Sequence, residues 1–245
     1  MRVLISNDDG IESNGLIELA KAFSMDNEVM VIAPDGNRSS SSHSITVFKK
    51  IKLNKIDKYP FPAYSLSGTP VDCIKFSYLF FTDFKPDIVV SGINKGHNIG
   101  TDTNYSGTLS IACEGSFFNS ISFAFSSFSL GESDFKLISK YAVKIVNDLL
   151  KISKVGDIWN INFPPNYNNI RGVKFTRLGK HLYSDRYEKI GEDEYMLVGE
   201  LIDCKNDPDC DVEWQKQGYI TITPILYDRT DKNKLKSVRD LCIEL

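Results

Sequence analysis

Two adjacent carboxylates, Asp8 and Asp9, follow the short apolar run Val3 to Ser6 and precede Gly10. At the end of a buried strand such a pair repels itself and loses hydration, so it stays ionised only beside a cation. The other polar residues expected at that corner are oxygen donors, the Ser39 hydroxyl and the Asn94 amide. An all-oxygen set without Cys or His suits a hard cation, Mg²⁺, Mn²⁺ or Ca²⁺, completed by water, and argues against structural zinc. Asp-Asp-Gly reads equally as a turn and helix cap, and the tripeptide alone does not choose between the two.

Tyr105-Ser106-Gly107-Thr108 stands before an apolar helical pattern. Hydroxyls and free backbone N–H groups at a helix start form an anion site able to hold phosphate. Taken alone, Ser106 as a plain N-cap is the simpler reading. The sequence has no Walker motif and no G-x-G-x-x-G, so a triphosphate or dinucleotide cradle is not supported. A metal-binding acid pair facing such a helix start would hydrolyse a phosphate ester, the metal polarising the ester and activating water. No motif marks the group that protonates the leaving alcohol. Of three histidines, His43 follows the Ser39 loop and His97 follows Asn94.

The elements that must position these residues alternate between strand and helix, the pattern of a parallel sheet with crossover helices. Strand-like runs are Arg2 to Ser6, Glu28 to Ala33, Asp87 to Ser91, Ser120 to Ser126 and Ile158 to Phe163. Between them, Leu16, Leu19, Ala20 and Phe23 give a helix one apolar face, and helices are expected over Pro70 to Phe81, Ser106 to Asn119 and Asp134 to Lys151. In an open parallel sheet the ligand crevice is built by the loops at the carboxyl ends of the strands. Asp8, Ser39 and Asn94 all fall in such loops. Beyond Pro165 the texture changes: Tyr183 to Gln217 is charge-rich and reads as an extension, Gly218 to Pro224 alternates like a strand, and a short helical pattern begins at Asp231.

At 245 residues, 42% hydrophobic and 25% charged, the chain has the composition of a soluble globular protein that folds without disulfides. Five cysteines, Cys73, Cys113, Cys204, Cys210 and Cys242, form no regular framework and point to a reducing compartment. The N-terminal apolar run is too short for a secretion signal and no run is long enough to span a membrane, so a cytoplasmic protein is expected. A net charge of -3 gives no general attraction for a polyanion, and no nucleic-acid polymer is expected as a partner.

Five motifs in order carry a resemblance: Ser6-Asn7-Asp8-Asp9-Gly10, Ala33-Pro34-Asp35-x-Asn37-Arg38-Ser39, Gly68-Thr69-Pro70-x-Asp72-Cys73, Ser91-Gly92-Ile93-Asn94-x-Gly96 and Tyr105-Ser106-Gly107-Thr108. Together they resemble the SurE family of stationary-phase survival nucleotidases. The likeness continues through Thr176-Arg177-Leu178-Gly179 and Gly218 to Pro224, so it spans the chain. It implies a single α/β domain over 1–245, a Rossmann-like three-layer sandwich with a mostly parallel sheet. It also implies a C-terminal β-hairpin extension within 183–217 that joins subunits into a homodimer or homotetramer. The implied activity is hydrolysis of nucleoside 5′- and 3′-monophosphates, with some action on polyphosphate, dependent on one divalent cation, Mg²⁺ or Mn²⁺. The implied metal ligands are Asp8, Asp9, Ser39 and Asn94, of which Asp8, Asp9 and Asn94 carry catalysis; Asn98, Ser106, Gly107 and Thr108 would contact the phosphate. Three positions depart from the family pattern: Gly36 for an arginine, Ser40 for a glycine, and Thr101 within Gly-Asp-Asp. The alternative from another class is a phosphoacceptor or phosphate-binding module, in which Asp35 and Lys95 would supply the third acid and the lysine. A haloacid-dehalogenase-like phosphatase would need an Asp-x-Asp nucleophile that Asn7-Asp8-Asp9 does not supply.

Overall fold

Val3, Leu4 and Ile5 are completely buried, which a strand achieves only where both faces of its sheet are covered. The structure is a computed structural model and describes residues 1–128, 131–166, 169–239 and 241. Its first part runs β1 (Arg2–Ser6), α1 (Asn14–Phe23), β2 (Glu28–Pro34), β3 (Leu53–Lys55), β4 (Ala63–Leu66), α2 (Pro70–Phe80), β5 (Ile88–Lys95), α3 (Gly107–Phe117), β6 (Ile121–Ser127), α4 (Glu132–Leu149) and β7 (Ile158–Phe163). There follow β8 (Val173–Phe175), β9 (Leu182–Tyr183), β10 (Arg186–Lys189), β11 (Tyr195–Val198), β12 (Leu201–Ile202), α5 (Asp211–Lys216), β13 (Ile220–Ile225) and α6 (Lys232–Val238).

Nine of the described strands form one sheet in the order β3-β4-β2-β1-β5-β6-β7-β13-β8. From β4 to β7 every neighbouring pair is parallel; β3 opposes β4 and β13 opposes β7. Because successive side chains leave a strand on opposite faces, β1 feeds two cores. Val3 and Ile5 pack with Leu16, Leu19 and Phe23 of α1 and Ile138 and Val146 of α4. Leu4 packs with Cys73 and Ile74 of α2 and Ile111 of α3. The result is an α/β fold with the mostly parallel sheet that the sequence alternation implies and the helical layers on both faces that the family resemblance implies.

Two details set up the site. β5 runs on to Lys95 past the expected end at Ser91, and its register against β6 shifts between Ser91 and Asn94. An irregularity of this kind bends a strand and re-aims its side chains, so Asn94 sits on a strand end rather than in a loop. Helix α3 is buried from Gly107 to Ser116, as expected of a helix with apolar or small residues all round. Its N-terminus is thereby fixed at the carboxyl end of the sheet. β3, β4 and β8 have three or four residues each, too few to show a period in the sequence.

The segment beyond β8 divides. β9 pairs with β12 and β10 with β11, both antiparallel, forming an arm over 182–202 that is almost wholly exposed. Helix α5 returns to the body, where Cys210 and Val212 pack on Ile99. Cys73, Cys113, Cys204 and Cys210 are free thiols; Cys242 lies outside the described residues. No helix among the described residues is long and apolar enough to cross a membrane.

Candidate active site

Asn7 closes the turn that carries both acids. Its Nδ2 donates to Ser13 Oγ at 2.6 Å and to the Gly10 carbonyl at 3.3 Å, and its Oδ1 accepts the Gly10 N–H at 3.1 Å. The loop after β1 is also laced to the loop after β2, which carries Ser39. The Arg38 N–H donates to the Asp8 carbonyl at 2.7 Å and the Ile11 N–H to the Pro34 carbonyl at 2.9 Å.

Asp8 is 5% exposed. Its carboxylate accepts the Thr108 hydroxyl at 2.6 Å and the backbone N–H groups of Gly107 and Thr108. The positive end of α3 therefore faces this acid. Gly107 is what permits the approach, since a Cβ there would lie 2.7 Å from Asp8 Oδ2. Burial nevertheless outweighs these donors and raises the Asp8 pKa. Asp9 is pushed up to about 6, first by burial and then by the charge of Asp8, with the Lys95 N–H and ammonium opposing. Two neighbouring acids that ionise at this cost fit a dication, which would offset both terms.

The remaining oxygen donors are oriented by their neighbours. Ser39 donates its hydroxyl proton to Asn37 Oδ1 at 2.6 Å, which leaves its lone pairs for a cation. Asn94 Nδ2 donates to the Gly96 carbonyl at 3.0 Å, which leaves Oδ1 as the ligand atom. No three His, Cys, Asp or Glu converge among the described residues; a cation at this corner would rest on the mixed carboxylate, hydroxyl and amide set.

One cavity of about 530 Å³ gathers Asp8, Ser39, Asn94, Asn98 and Ser106 in its lining. Asp9, Gly107 and Thr108 stand outside that lining, and the last two act on Asp8. Ser106 is the N-cap of α3, its Oγ accepting the Leu109 N–H at 2.9 Å. Asn98 is buried and tied to β6 and β7. Its Nδ2 donates to Ser126 Oγ at 2.7 Å, its N–H to Asn162 Oδ1 at 2.8 Å, and its carbonyl accepts Nδ2 of Asn160 at 2.7 Å and of Asn162 at 3.1 Å.

The cavity also takes in Lys95, the lysine of the phosphoacceptor reading, and His97, noted beside Asn94 in the sequence, together with Asp102, Tyr105, Tyr183 and Asp185, to which the sequence reading gave no role. Burial and the nearby His181 lower the His97 pKa to about 4, so the ring is neutral at physiological pH. Lys95 stands within the Ser91 to Gly96 motif and His97 follows it, and Asp102 lies in the turn Gly100 to Asn104 before α3. Tyr183 and Asp185 come from the arm, and no local pattern could have placed them here. Asp35, the third acid of the phosphoacceptor reading, is paired with Arg38 at 2.8 Å and is absent from the lining.

The departures from the family pattern also find places. Ser40 has φ 57°, a left-handed conformation that glycine adopts at no steric cost. A Cβ at Gly36 would meet only the Arg38 guanidinium, at 3.8 Å. Thr101 donates its hydroxyl to the His181 carbonyl and accepts the His181 N–H at 3.2 Å, joining the turn before α3 to the root of the arm.

Comparison with known proteins adds to this geometry. The sequence model of the family described as "Survival protein SurE" matches residues 3–185. The 5′-nucleotidase SurE of Natranaerobius thermophilus is 37% identical over 97% of this chain and 97% of its own. That of Thermoanaerobacter sp. strain X514 is 34% identical over 100% of both chains. The crystal structure of the SurE protein from Aquifex aeolicus superposes with a TM-score of 0.83 at 36% identity, covering 98% of each chain.

Proposed function

The chain belongs to the SurE family, and from that premise we propose that it is a divalent-metal-dependent phosphomonoesterase. Its substrates are nucleoside 5′-monophosphates, with 3′-monophosphates and short polyphosphate as further ones, and its products are nucleoside and phosphate. The observation that carries the reading is the meeting of Asp8, Ser39, Asn94, Asn98 and Ser106 on one cavity, from the loops after β1 and β2, the end of β5 with the turn beyond it, and the start of α3. The likeness over nearly the whole chain to proteins named 5′-nucleotidase SurE supports it.

Asp8, Asp9, Ser39 Oγ and Asn94 Oδ1 would hold Mg²⁺ or Mn²⁺. When bound, the ion would polarise the phosphoryl group and promote ionisation of water. The protein's own part is positioning. Thr108 and the start of α3 fix the Asp8 carboxylate, and the Asn160–Asn162–Ser126 lattice holds Asn98 at the phosphate's edge of the cavity. Lys95 adds a positive charge to the wall that the phosphate faces. Neutral His97 leaves that wall free of a second competing cation at pH 7.

The arm would join subunits into a homodimer or homotetramer. Tyr187, Ile190, Tyr195, Met196 and Leu197 are all more than half exposed on it, and a cluster of large apolar side chains in water is the usual mark of an interface. Light scattering should return two or four chain masses.

The test of activity is phosphate release from a panel of nucleoside 5′- and 3′-monophosphates with Mn²⁺ or Mg²⁺. Release should stop with a chelator and return with excess cation. Release unaffected by exhaustive chelation would refute metal dependence; no release from any nucleotide would refute the nucleotidase.

A further inference from the structure

His43 stands four residues beyond Ser39 on the same loop, yet it is absent from the lining of the cavity that gathers Asp8, Ser39 and Asn94. It lines a separate cavity with Leu109, Cys113 and Phe117. Its Nε2 lies 2.8 Å from Glu114 Oε2, and its ring stacks on Phe117 with centroids 5.7 Å apart. Glu114 belongs to α3 and is 2% exposed; its other oxygen accepts Lys75 Nζ of α2 at 2.8 Å. Burial acts against the charge on Glu114, and His43 and Lys75 together outweigh it, holding the carboxyl below its usual range. A buried carboxylate that loses a partner is costly, so this acid is a firm anchor for whatever it grips.

What it grips is the stretch of loop between two fixed points. Upstream, the Arg38 N–H donates to the Asp8 carbonyl at 2.7 Å; downstream, the Thr46 N–H donates to Asp72 Oδ1 at 3.0 Å. Between them the chain turns through Ser40 at φ 57° and Ser42 at φ 51°. Serine disfavours this left-handed conformation, which persists only where the surroundings impose it. The Ser42 N–H donates to the Tyr105 carbonyl at 3.1 Å, its hydroxyl to the Asn104 carbonyl at 2.8 Å, and the Thr69 hydroxyl to the Ser44 carbonyl at 2.7 Å. The contact of His43 with Glu114 adds a side-chain anchor on a buried charge. Ser39 itself is exposed and its hydroxyl is bonded within the loop, to Asn37. Its place beside Asp8 is therefore set by the anchors of the loop.

We propose that His43 is a positioning residue for the cation: by gripping Glu114 it fixes the turn from Ser40 to Ser42 and so holds the Ser39 hydroxyl at the Asp8 corner. The proposal rests on the reading of Asp8, Asp9, Ser39 and Asn94 as the metal site. It gives metal affinity a dependence on two side chains, His43 and Glu114, that do not line that site.

The experiment titrates Mn²⁺ calorimetrically into the parent, His43→Leu, Ser39→Ala and the double variant. His43 is partly exposed and its loss leaves Glu114 paired with Lys75, so His43→Leu should fold. It should bind Mn²⁺ about tenfold more weakly, the usual cost of removing a residue that orients a ligand. Ser39→Ala should lose at least as much. The double variant should bind no more weakly than Ser39→Ala alone, because a residue that acts through another adds nothing once that other is gone. His43→Gln returns an N–H donor to Glu114 and should restore Mn²⁺ affinity to within about twofold of the parent, where a loss of packing alone would not be repaired. In metal-free protein, hydrogen exchange over residues 40–46 should be faster in His43→Leu and unchanged over β1. Unchanged Mn²⁺ affinity in His43→Leu, additive losses in the double variant, or no recovery with His43→Gln would overturn the proposal. Failure of the metal reading shows separately, as a parent that binds no Mn²⁺ while exchange over residues 40–46 still differs between parent and His43→Leu.

Discussion

Two corners of the molecule bury an aspartate, and they treat it differently. Asp211, at the start of α5, is completely buried, and its oxygens accept the N–H groups of Gly100 at 2.8 Å, Gly179 at 2.8 Å and Val212 at 2.9 Å. Those donors come from three segments, so the carboxylate is a rivet joining the turn before α3, the root of the arm and α5. Asp8 also has donors, yet it lies in a cavity wall with Asp9 beside it, and desolvation raises both pKa values. Burial is the largest influence on Asp211 too, and raises its pKa against the same kind of backbone donors. Burial and a raised pKa therefore do not by themselves distinguish a working acid from a structural one. What differs is the company: backbone N–H groups on every side for Asp211, a second carboxylate and an open cavity for Asp8.

Asparagine at position 8 probes this contrast most strongly. Asp8→Asn keeps the shape and the Thr108 hydrogen bond but removes the charge, so it should lower kcat by about 10³-fold or more with little loss of metal-free stability. Excess Mn²⁺ should raise the Tm of the parent through binding to the folded state and leave the variant unmoved. At the other corner the order reverses. Asp211→Ala strands three buried N–H groups and should cost about 3 kcal/mol or more, a fall in Tm of roughly 6–12 °C for a chain of this size. Its response to Mn²⁺ should match that of the parent. If Asp211→Ala abolished the Mn²⁺ shift, or Asp8→Asn retained it, the two acids would not have the roles assigned to them.

The same contrast explains what could be read from the chain beforehand. Asp8 and Asp9 announce themselves because Val3 to Ser6 is an unmistakable buried strand and the acids sit at its end. Ser106 to Thr108 is visible as a helix start, although its N–H groups and the Thr108 hydroxyl turn out to serve Asp8. Asp211 gives no such sign: it stands in a charge-rich stretch and acquires its meaning from Gly100, 111 residues away. Tyr183 and Asp185 are hidden for the same reason. Local periodicity reports burial, whereas a contact between distant loops depends on the finished fold. Ser40 lies between these cases: it stands where the family pattern has glycine, and the left-handed backbone at this position comes to light in the structure.

The smallest expected effect is a pair of opposed titrations at the Asp8 corner. The unfolded chain protonates His97 near 6.5 and the folded chain near 4. Between those values the unfolded state binds the extra proton, so the stability this group contributes is complete above 6.5 and is lost as pH falls towards 4. The loss amounts to about 3 kcal/mol at most. Asp9 has the opposite sign. Its pKa rises on folding from 3.8 to about 6, so its contribution is complete below 3.8 and is lost as pH rises through 6. In chelator the two offset one another from about pH 4 to 6, and each single variant should expose the other group. Relative to the parent, His97→Gln should gain stability as pH falls through that window, and Asp9→Asn should gain it as pH rises. Tm measured across pH 4–7.5 in chelator reads both difference curves. Slopes of the same sign, or both curves flat, would show that the acid pair and the buried imidazole do not carry the burial costs assigned to them.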